Sequence, residues 1–105
     1  IITSRQFFLG PPDSGAAMHY HIDALNALAY GRKMWLLLPP AQAVYSKRHP
    51  TELLSDVLYA PGSALEPWEC VQEAGDILYV PNQWGHATIN VEESIGIAYG
   101  FGISG

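Results

Sequence analysis

The chain has 105 residues and a mass of 11.5 kDa, enough for one hydrophobic core and too little for two. Hydrophobic residues make up 49% against 14% charged, which excludes a disordered or wholly solvated chain. Ten acidic against five basic groups give a net charge of −5; no stretch of Lys and Arg is dense enough to follow a phosphate backbone, so direct nucleic-acid binding is not expected. The single cysteine, Cys70, excludes an internal disulfide framework and a Cys-rich zinc module, and its expected place is a small apolar position on a strand. The longest apolar run, Met34 to Pro40, falls far short of the roughly 20 residues of a membrane-spanning helix. No basic region followed by a hydrophobic stretch opens the chain. The chain begins at Ile1, so residues 1–105 read as one domain excerpted from a longer protein. An intracellular setting, cytoplasm or nucleus, is the expectation, with the oligomeric state open.

In chain order, an apolar run at Gln6 to Leu9 ends at a turn marked by Gly10, Pro11 and Pro12. Met18 to Asp23 then alternates, and reads as one strand with His19, His21 and Asp23 on a shared face. Ala27 to Tyr30 and Lys33 to Leu38 flank Gly31-Arg32, a spacing that predicts a hairpin or bulge, and Pro39-Pro40 stops the second strand. Between Ala41 and Tyr59 the apolar residues recur at three-to-four spacing, with Pro50 and Thr51 as a helix start. Four further runs, Trp68 to Val71, Ile77 to Val80, His86 to Val91 and Ser94 to Phe101, are short, rich in β-branched and aromatic residues, and separated by Gly or Asn. Seven or eight short antiparallel strands with small helical inserts predict an all-β domain, a double-stranded β-helix or jelly roll of the cupin type.

The chemistry concentrates in the histidines. His19, His21 and Asp23 at i, i+2 and i+4 form a row of metal-ligand side chains, and His86 follows 65 positions after His21, where a barrel could bring it to that row. Two neutral imidazoles and one carboxylate on one side of a metal leave adjacent positions open, an arrangement suited to non-haem Fe(II). Trp35 and Trp68 read as core residues, Trp84 as apolar area at the barrel mouth, and His49 as a solvated or capping histidine.

The run from His21 to Leu28, then Gly31-Arg32-Lys33-Met34-Trp35, Pro39-Pro40, Gly75-Asp76-Ile77-Leu78-Tyr79-Val80-Pro81, and finally Trp84 and His86 resembles the JmjC family of cupin-fold oxygenases. The pieces occur in the family's order from about Phe7 to Phe101, and the small hydroxylase-type members are the most similar. What the resemblance implies is Fe(II) held by His21, Asp23 and His86, with 2-oxoglutarate as cosubstrate, Lys33 pairing with its distal carboxylate and Asn26 close to it. It further implies hydroxylation or N-demethylation of a protein or peptide side chain, coupled to decarboxylation of 2-oxoglutarate to succinate. No membrane partner is expected.

Two departures from the family pattern keep alternatives open. Counted from the Gly10-Pro11-Pro12 turn, the first ligand falls nearer His19, which gives the register His19, His21 and His86 with Asp23 outside the metal set. The position where the family often carries a hydroxyl residue for the cosubstrate carboxylate is Ala98, and Tyr30, Tyr79, Thr88 and Tyr99 are the candidates to replace it. These departures support a rival reading, a catalytically inactive JmjC-like barrel used to bind a protein or ligand. A metal cupin of the isomerase or dioxygenase kind, working without 2-oxoglutarate, is the third, and Lys33 argues against it.

Overall fold

The computed structural model describes residues 2–19, 23–42, 47, 49–53 and 67–101. Eight strands run through them: β1 (Ile2–Gly10), β2 (Gly15–His19), β3 (Asp23–Tyr30), β4 (Arg32–Leu38), β5 (Trp68–Glu73), β6 (Ile77–Val80), β7 (Gly85–Asn90) and β8 (Ser94–Phe101). They form two four-stranded antiparallel sheets, ordered β1-β8-β3-β6 and β2-β7-β4-β5. This is the jelly roll expected from the sequence. A 3₁₀ turn spans Pro40–Gln42, and a single helical turn, α1 (Pro50–Leu53), begins at the expected proline and packs against β2 and β7. Most of the remaining span to Pro67 lies outside the described residues.

Two sequence expectations change. The run Met18 to Asp23 is not one strand: β2 ends at His19 in one sheet and β3 begins at Asp23 in the other. Nor is Gly31-Arg32 the tip of a hairpin, because β3 pairs with β6 and β8 while β4 pairs with β5 and β7. It is a corner at which the chain leaves one sheet for the other. Sequence spacing carries the strand lengths and the turn, but not which sheet the next strand joins.

The two faces of the β2-β7-β4-β5 sheet differ sharply. Its outer face holds much of the apolar core, with Leu36 and Leu38 fully buried beside Ala87 and Ile89. The face turned toward the other sheet is polar for an interior: Lys33, Gln72, His86, Thr88 and Asn90 are all at least nine-tenths buried. Burying so many polar groups opposes folding unless each finds a partner or a ligand. The outer face of the other sheet, by contrast, carries a row that crosses all four strands, with Phe7, Ile97 and Ile77 exposed and Ala27 half-buried among them.

The corner between β3 and β4 depends on Gly31. Its φ is +92°, in the region that side chains disfavour, and a Cβ there would meet the Glu93 carbonyl oxygen at 2.0 Å. Gly75, between β5 and β6, has a similar φ of +95° with nothing within 4 Å of the added Cβ. Gly75→Ala should therefore lower unfolding stability by only the backbone strain, about 1–2 kcal/mol. Gly31→Ala should cost more, because relieving the collision requires moving the corner. Urea unfolding of both variants checks this, and equal losses would mean that the corner yields freely.

Candidate active site

A cavity of about 380 Å³ lies between the sheets, lined among others by Asn26, Lys33, Trp35, His86, Thr88 and Asn90, a size suited to a small organic ligand. Alternation fixes this set. On β4, Lys33 and Trp35 point inward while Leu36 and Leu38 point out; on β7 the inward residues are His86, Thr88 and Asn90. The ladder sets Lys33 between Gln72 of β5 and Asn90 of β7, and sets Trp35 beside Thr88.

Lys33 is the electrostatic centre of the cavity. It is only 7% exposed, and among the described residues no carboxylate pairs with it; its Nζ stands 3.7 Å above the centre of the Phe8 ring. The ring face offsets part of the lost hydration. Gly96 makes room for this, since a Cβ there would meet the Phe8 ring at 2.4 Å. Burial lowers the Lys33 ammonium from its usual 10.5 to about 8. Two further buried atoms, Asn26 Oδ1 and Asn90 Oδ1, have no hydrogen-bond partner. A half-turn of the Asn26 amide would exchange that acceptor for donors.

The aromatic side of the site is held by a residue that sequence reasoning missed. Gln72 is 1% exposed; its Oε1 accepts from Trp35 Nε1 at 2.9 Å, while its Nε2 donates to the carbonyls of Asn26 at 2.9 Å and Asp76 at 3.1 Å. One side chain thus ties the two sheets together and fixes Trp35, whose ring lies 6.0 Å from that of His86. A glutamine among Glu69, Glu73 and Asp76 looks solvent-facing in sequence, and only the ladder partnership with Lys33 turns it inward.

His86 is 6% exposed, and its Nδ1 lies 3.2 Å from the Trp84 carbonyl oxygen. A carbonyl can only accept, so Nδ1 carries a proton, which in the neutral ring puts the lone pair that a metal needs on Nε2. Trp84 packs edge-on against Trp68 at 6.0 Å. Trp68 is 64% exposed on the edge strand β5, so it is not the core residue expected; Trp35 is buried as expected, but it faces the cavity. His49 is exposed, and its Nε2 lies 2.8 Å from the Asp13 carbonyl oxygen, fastening α1 to the turn after β1.

The remaining expected ligands divide. His21 lies outside the described residues. The backbone register sets His19 directly opposite His86 in the β2–β7 ladder, beyond a bulge between Ala16 and His19. Asp23 stands on the other sheet, one position before Ala24, which lines the cavity, and its carboxylate is on the outer face: Oδ1 accepts from Tyr79 Oη at 2.7 Å and from the Asn82 amide at 2.8 Å. The expected shared face of His19, His21 and Asp23 assumed one continuous strand, and the bulge and the change of sheet remove that parity. Among the described residues no three His, Cys, Asp or Glu side chains cluster as a metal site. Of the hydroxyl candidates, Thr88 is buried in the cavity wall and Tyr99, half-buried, also lines the cavity, whereas Tyr30 and Tyr79 are exposed, and the inward position across from Asn26 is Ala98.

The residues described fit a small dicarboxylate, because a buried ammonium without a carboxylate partner among them lines an open volume with the side chains of Asn26, Asn90 and Thr88. His86, with its lone pair on Nε2, fits one ligand of a metal; Asp23, with Oδ1 engaged on the far face, does not fit another.

Two antiparallel four-stranded sheets folded over a cavity with a polar lining define a cupin-type jelly roll. Its family is narrower than that: residues 2–104 match the JmjC domain model, and the chain belongs to the JmjC domain family. It is 35% identical over 94 residues to human (Homo sapiens) JmjC domain-containing protein 8, covering 88% of this chain and 36% of that protein. It is 34% identical over 108 residues to the 2-oxoglutarate and iron-dependent oxygenase JMJD4 of Danio rerio, covering 89% and 25%. Against the bifunctional arginine demethylase and lysyl-hydroxylase psr-1 of Caenorhabditis elegans it is 32% identical over 116 residues, covering 92% and 29%. Among solved structures, the ribosomal oxygenase YcfD from Escherichia coli shares the fold, with a TM-score of 0.68 and 18% identity over 99% of this chain and 24% of that one. The chain spans about a third of the length of the first of these relatives, and less of the others. Iron- and 2-oxoglutarate-dependent oxygenases are thus among the chain's own family.

Replacing Gln72 by Leu leaves Trp35 Nε1 and the Asn26 carbonyl without their partners in a buried setting. The expected cost is about 2 kcal/mol or more of unfolding free energy. Guanidinium unfolding followed by tryptophan fluorescence measures it; a loss within experimental error would show that the two sheets hold Trp35 without this bridge.

Proposed function

We propose that this domain is an Fe(II)- and 2-oxoglutarate-dependent oxygenase acting on a protein side chain. The observation that carries the reading is Lys33, a buried ammonium with no carboxylate partner among the described residues, in the same cavity as His86. An uncompensated buried charge is costly, and a carboxylate ligand that enters the cavity offsets that cost. Lysine suits this task as a compact charge on a flexible stem. The names of the relatives JMJD4 and psr-1 support the same cosubstrate and a protein substrate. The net charge of −5 favours a basic peptide.

In this reading His86 ligates through Nε2, with its ring oriented by the Trp84 carbonyl and by Trp35. The set His19, His21 and His86 is preferred over His21, Asp23 and His86, on the ladder partnership of His19 with His86 and the engagement of Asp23 elsewhere. When bound, iron and 2-oxoglutarate would activate dioxygen, the oxidant, with one oxygen atom going to the substrate and the other to succinate, and with carbon dioxide released. The protein's own part is to anchor a carboxylate on Lys33, with Thr88 and the amides of Asn26 and Asn90 alongside, and to keep the inner end of the cavity dry. A second reading, a binding barrel without turnover, is favoured by Ala98, where the cavity lacks a hydroxyl beside Asn26.

Calorimetric titration of 2-oxoglutarate with Mn(II) in place of iron tests the assignment. Lys33→Ala should weaken 2-oxoglutarate binding by about 100-fold, on the order of a charged hydrogen-bonded contact, while Mn(II) affinity changes little. Equal 2-oxoglutarate affinity in variant and parent would remove the cosubstrate from the reading.

The pH dependence follows from the charge on Lys33. The ligand needs the ammonium, so affinity should be flat below pH about 8 and fall by up to about tenfold per pH unit above it. Because the folded value lies below the unfolded 10.5, the unfolded chain binds the proton more tightly across that interval. The ligand-free domain should therefore gain stability as pH rises from about 8 toward 10.5. Titrations at three pH values and a matching set of unfolding curves check both signs.

A further inference from the structure

Asp23 has an interaction of its own that the oxygenase reading does not use. Its Oδ1 receives two hydrogen bonds, from Tyr79 Oη at 2.7 Å and from the backbone amide of Asn82 at 2.8 Å. Tyr79 is the last residue but one of β6, and its ring stacks at 24° on Phe101, the ladder partner of Asp23 on β8. Asn82 belongs to the tight turn between β6 and β7, where Gln83 takes a φ of +70° and the Trp84 amide donates to the Pro81 carbonyl at 3.2 Å. A non-glycine residue at positive φ holds only where its surroundings fix the backbone. That turn ends at Trp84, whose carbonyl sets the ring of His86.

We infer that Asp23 is a positioning residue: from the outer face of the barrel it clamps the β6–β7 turn, and through the Trp84 carbonyl it sets the tautomer and orientation of His86. The carboxylate that opens β3 thereby joins the start of one sheet's strand to the segment that delivers the distal histidine. Both hydrogen bonds involve an acceptor with formal charge, the stronger kind of contact. Oδ1 already receives both donors, and a metal in the cavity would lie on the opposite face of β3. The inference rests on the proposed role of His86 as a ligand, but the clamp itself is legible without any metal.

The test has two arms. In the first, metal-free protein labelled with ¹⁵N is compared with Asp23→Asn, Tyr79→Phe and the double variant by long-range ¹H–¹⁵N correlation of the His86 ring. The parent should show Nδ1 protonated and Nε2 bearing the lone pair. Each single variant should shift His86 toward a mixture of tautomers, and the double variant should be no worse than the stronger single one, because both act through one clamp. Unchanged His86 signals in both single variants would overturn the inference, even if the melting temperature falls, since a purely structural loss moves stability alone. In the second arm, Co(II) is titrated into the same four proteins. A positioning role predicts about a tenfold loss of affinity in both single variants with the d–d band positions retained. A ligand role for Asp23 predicts that Tyr79→Phe binds like the parent while Asp23→Asn loses binding and moves the bands, and this result would overturn the clamp. If the parent binds no Co(II) at all, the metal reading fails while the first arm still decides the clamp.

Discussion

Much of the interior is arranged around a single ammonium group. Lys33 is carried inward by the β4 alternation, and the desolvation that lowers its pKa to about 8 is a standing cost that the fold offsets only in part. The offset is local and specific: the Phe8 ring at 3.7 Å, which needs the missing side chain of Gly96, and the ladder neighbours Gln72 and Asn90. The open cavity and two unpaired amide oxygens complete its surroundings. A domain selected for stability alone would place a hydrophobic side chain here. An inward lysine therefore points to what enters the cavity, and that is why it carries more of the functional argument than the histidines do.

The second organising constraint is that the chain changes sheets twice within 15 residues, between His19 and Asp23 and again at Gly31. Each change resets which residues face inward. Inward parity is even at Ala16, and the bulge in the β2–β7 ladder then sets His19 against His86; on β3 the inward positions are even again, at Ala24 and Asn26. Asp23 is thus displaced from the row that sequence spacing assigned to it, and its carboxylate meets Tyr79 and Asn82 instead.

Much of this was legible in the residues, and the illegible part has a physical pattern. The strands Ile77–Val80 and Ser94–Phe101 were readable because turn residues bound them and β-branched or aromatic residues fill them. Lys33, His86 and Asn26 were singled out through their match to the family's motifs, and all three line the cavity. Gln72 was not readable, because a polar residue in an acidic strand is usually solvated and nothing local reveals that its strand lies beside Lys33. Trp68 misled for the converse reason: a large aromatic in a strand is usually core, yet here it sits on an edge strand with Trp84 as its neighbour. The fate of Asp23 depended on a bulge and a change of sheet, neither of which leaves a signal at the spacing of two that was used to read the row.

The loss of a hydroxyl at Ala98 acquires a different meaning beside these observations. Ala98 lies between Gln6 and Asn26 on the ladders of the β1-β8-β3-β6 sheet, so a methyl group stands next to an amide whose oxygen is buried without a partner. On the facing wall Thr88 presents a hydroxyl beside Trp35, though that oxygen already accepts from the Ala16 amide at 3.2 Å. A hydroxyl that accepts from the backbone still has its own proton to donate. The polar contacts available to an anion therefore include Lys33, the Asn26 and Asn90 amides and the Thr88 proton, distributed over both sheets rather than gathered on β8. Asn90 is the most constrained of them: its Nδ2 donates to Ser14 Oγ at 2.9 Å, and Gly10 must lack a side chain for the amide to fit. That rigidity, together with the Gln72 bridge that fixes Trp35 in the cavity wall, would give a bound anion a preformed seat, so that the ordering cost of binding would fall mainly on the flexible stem of Lys33.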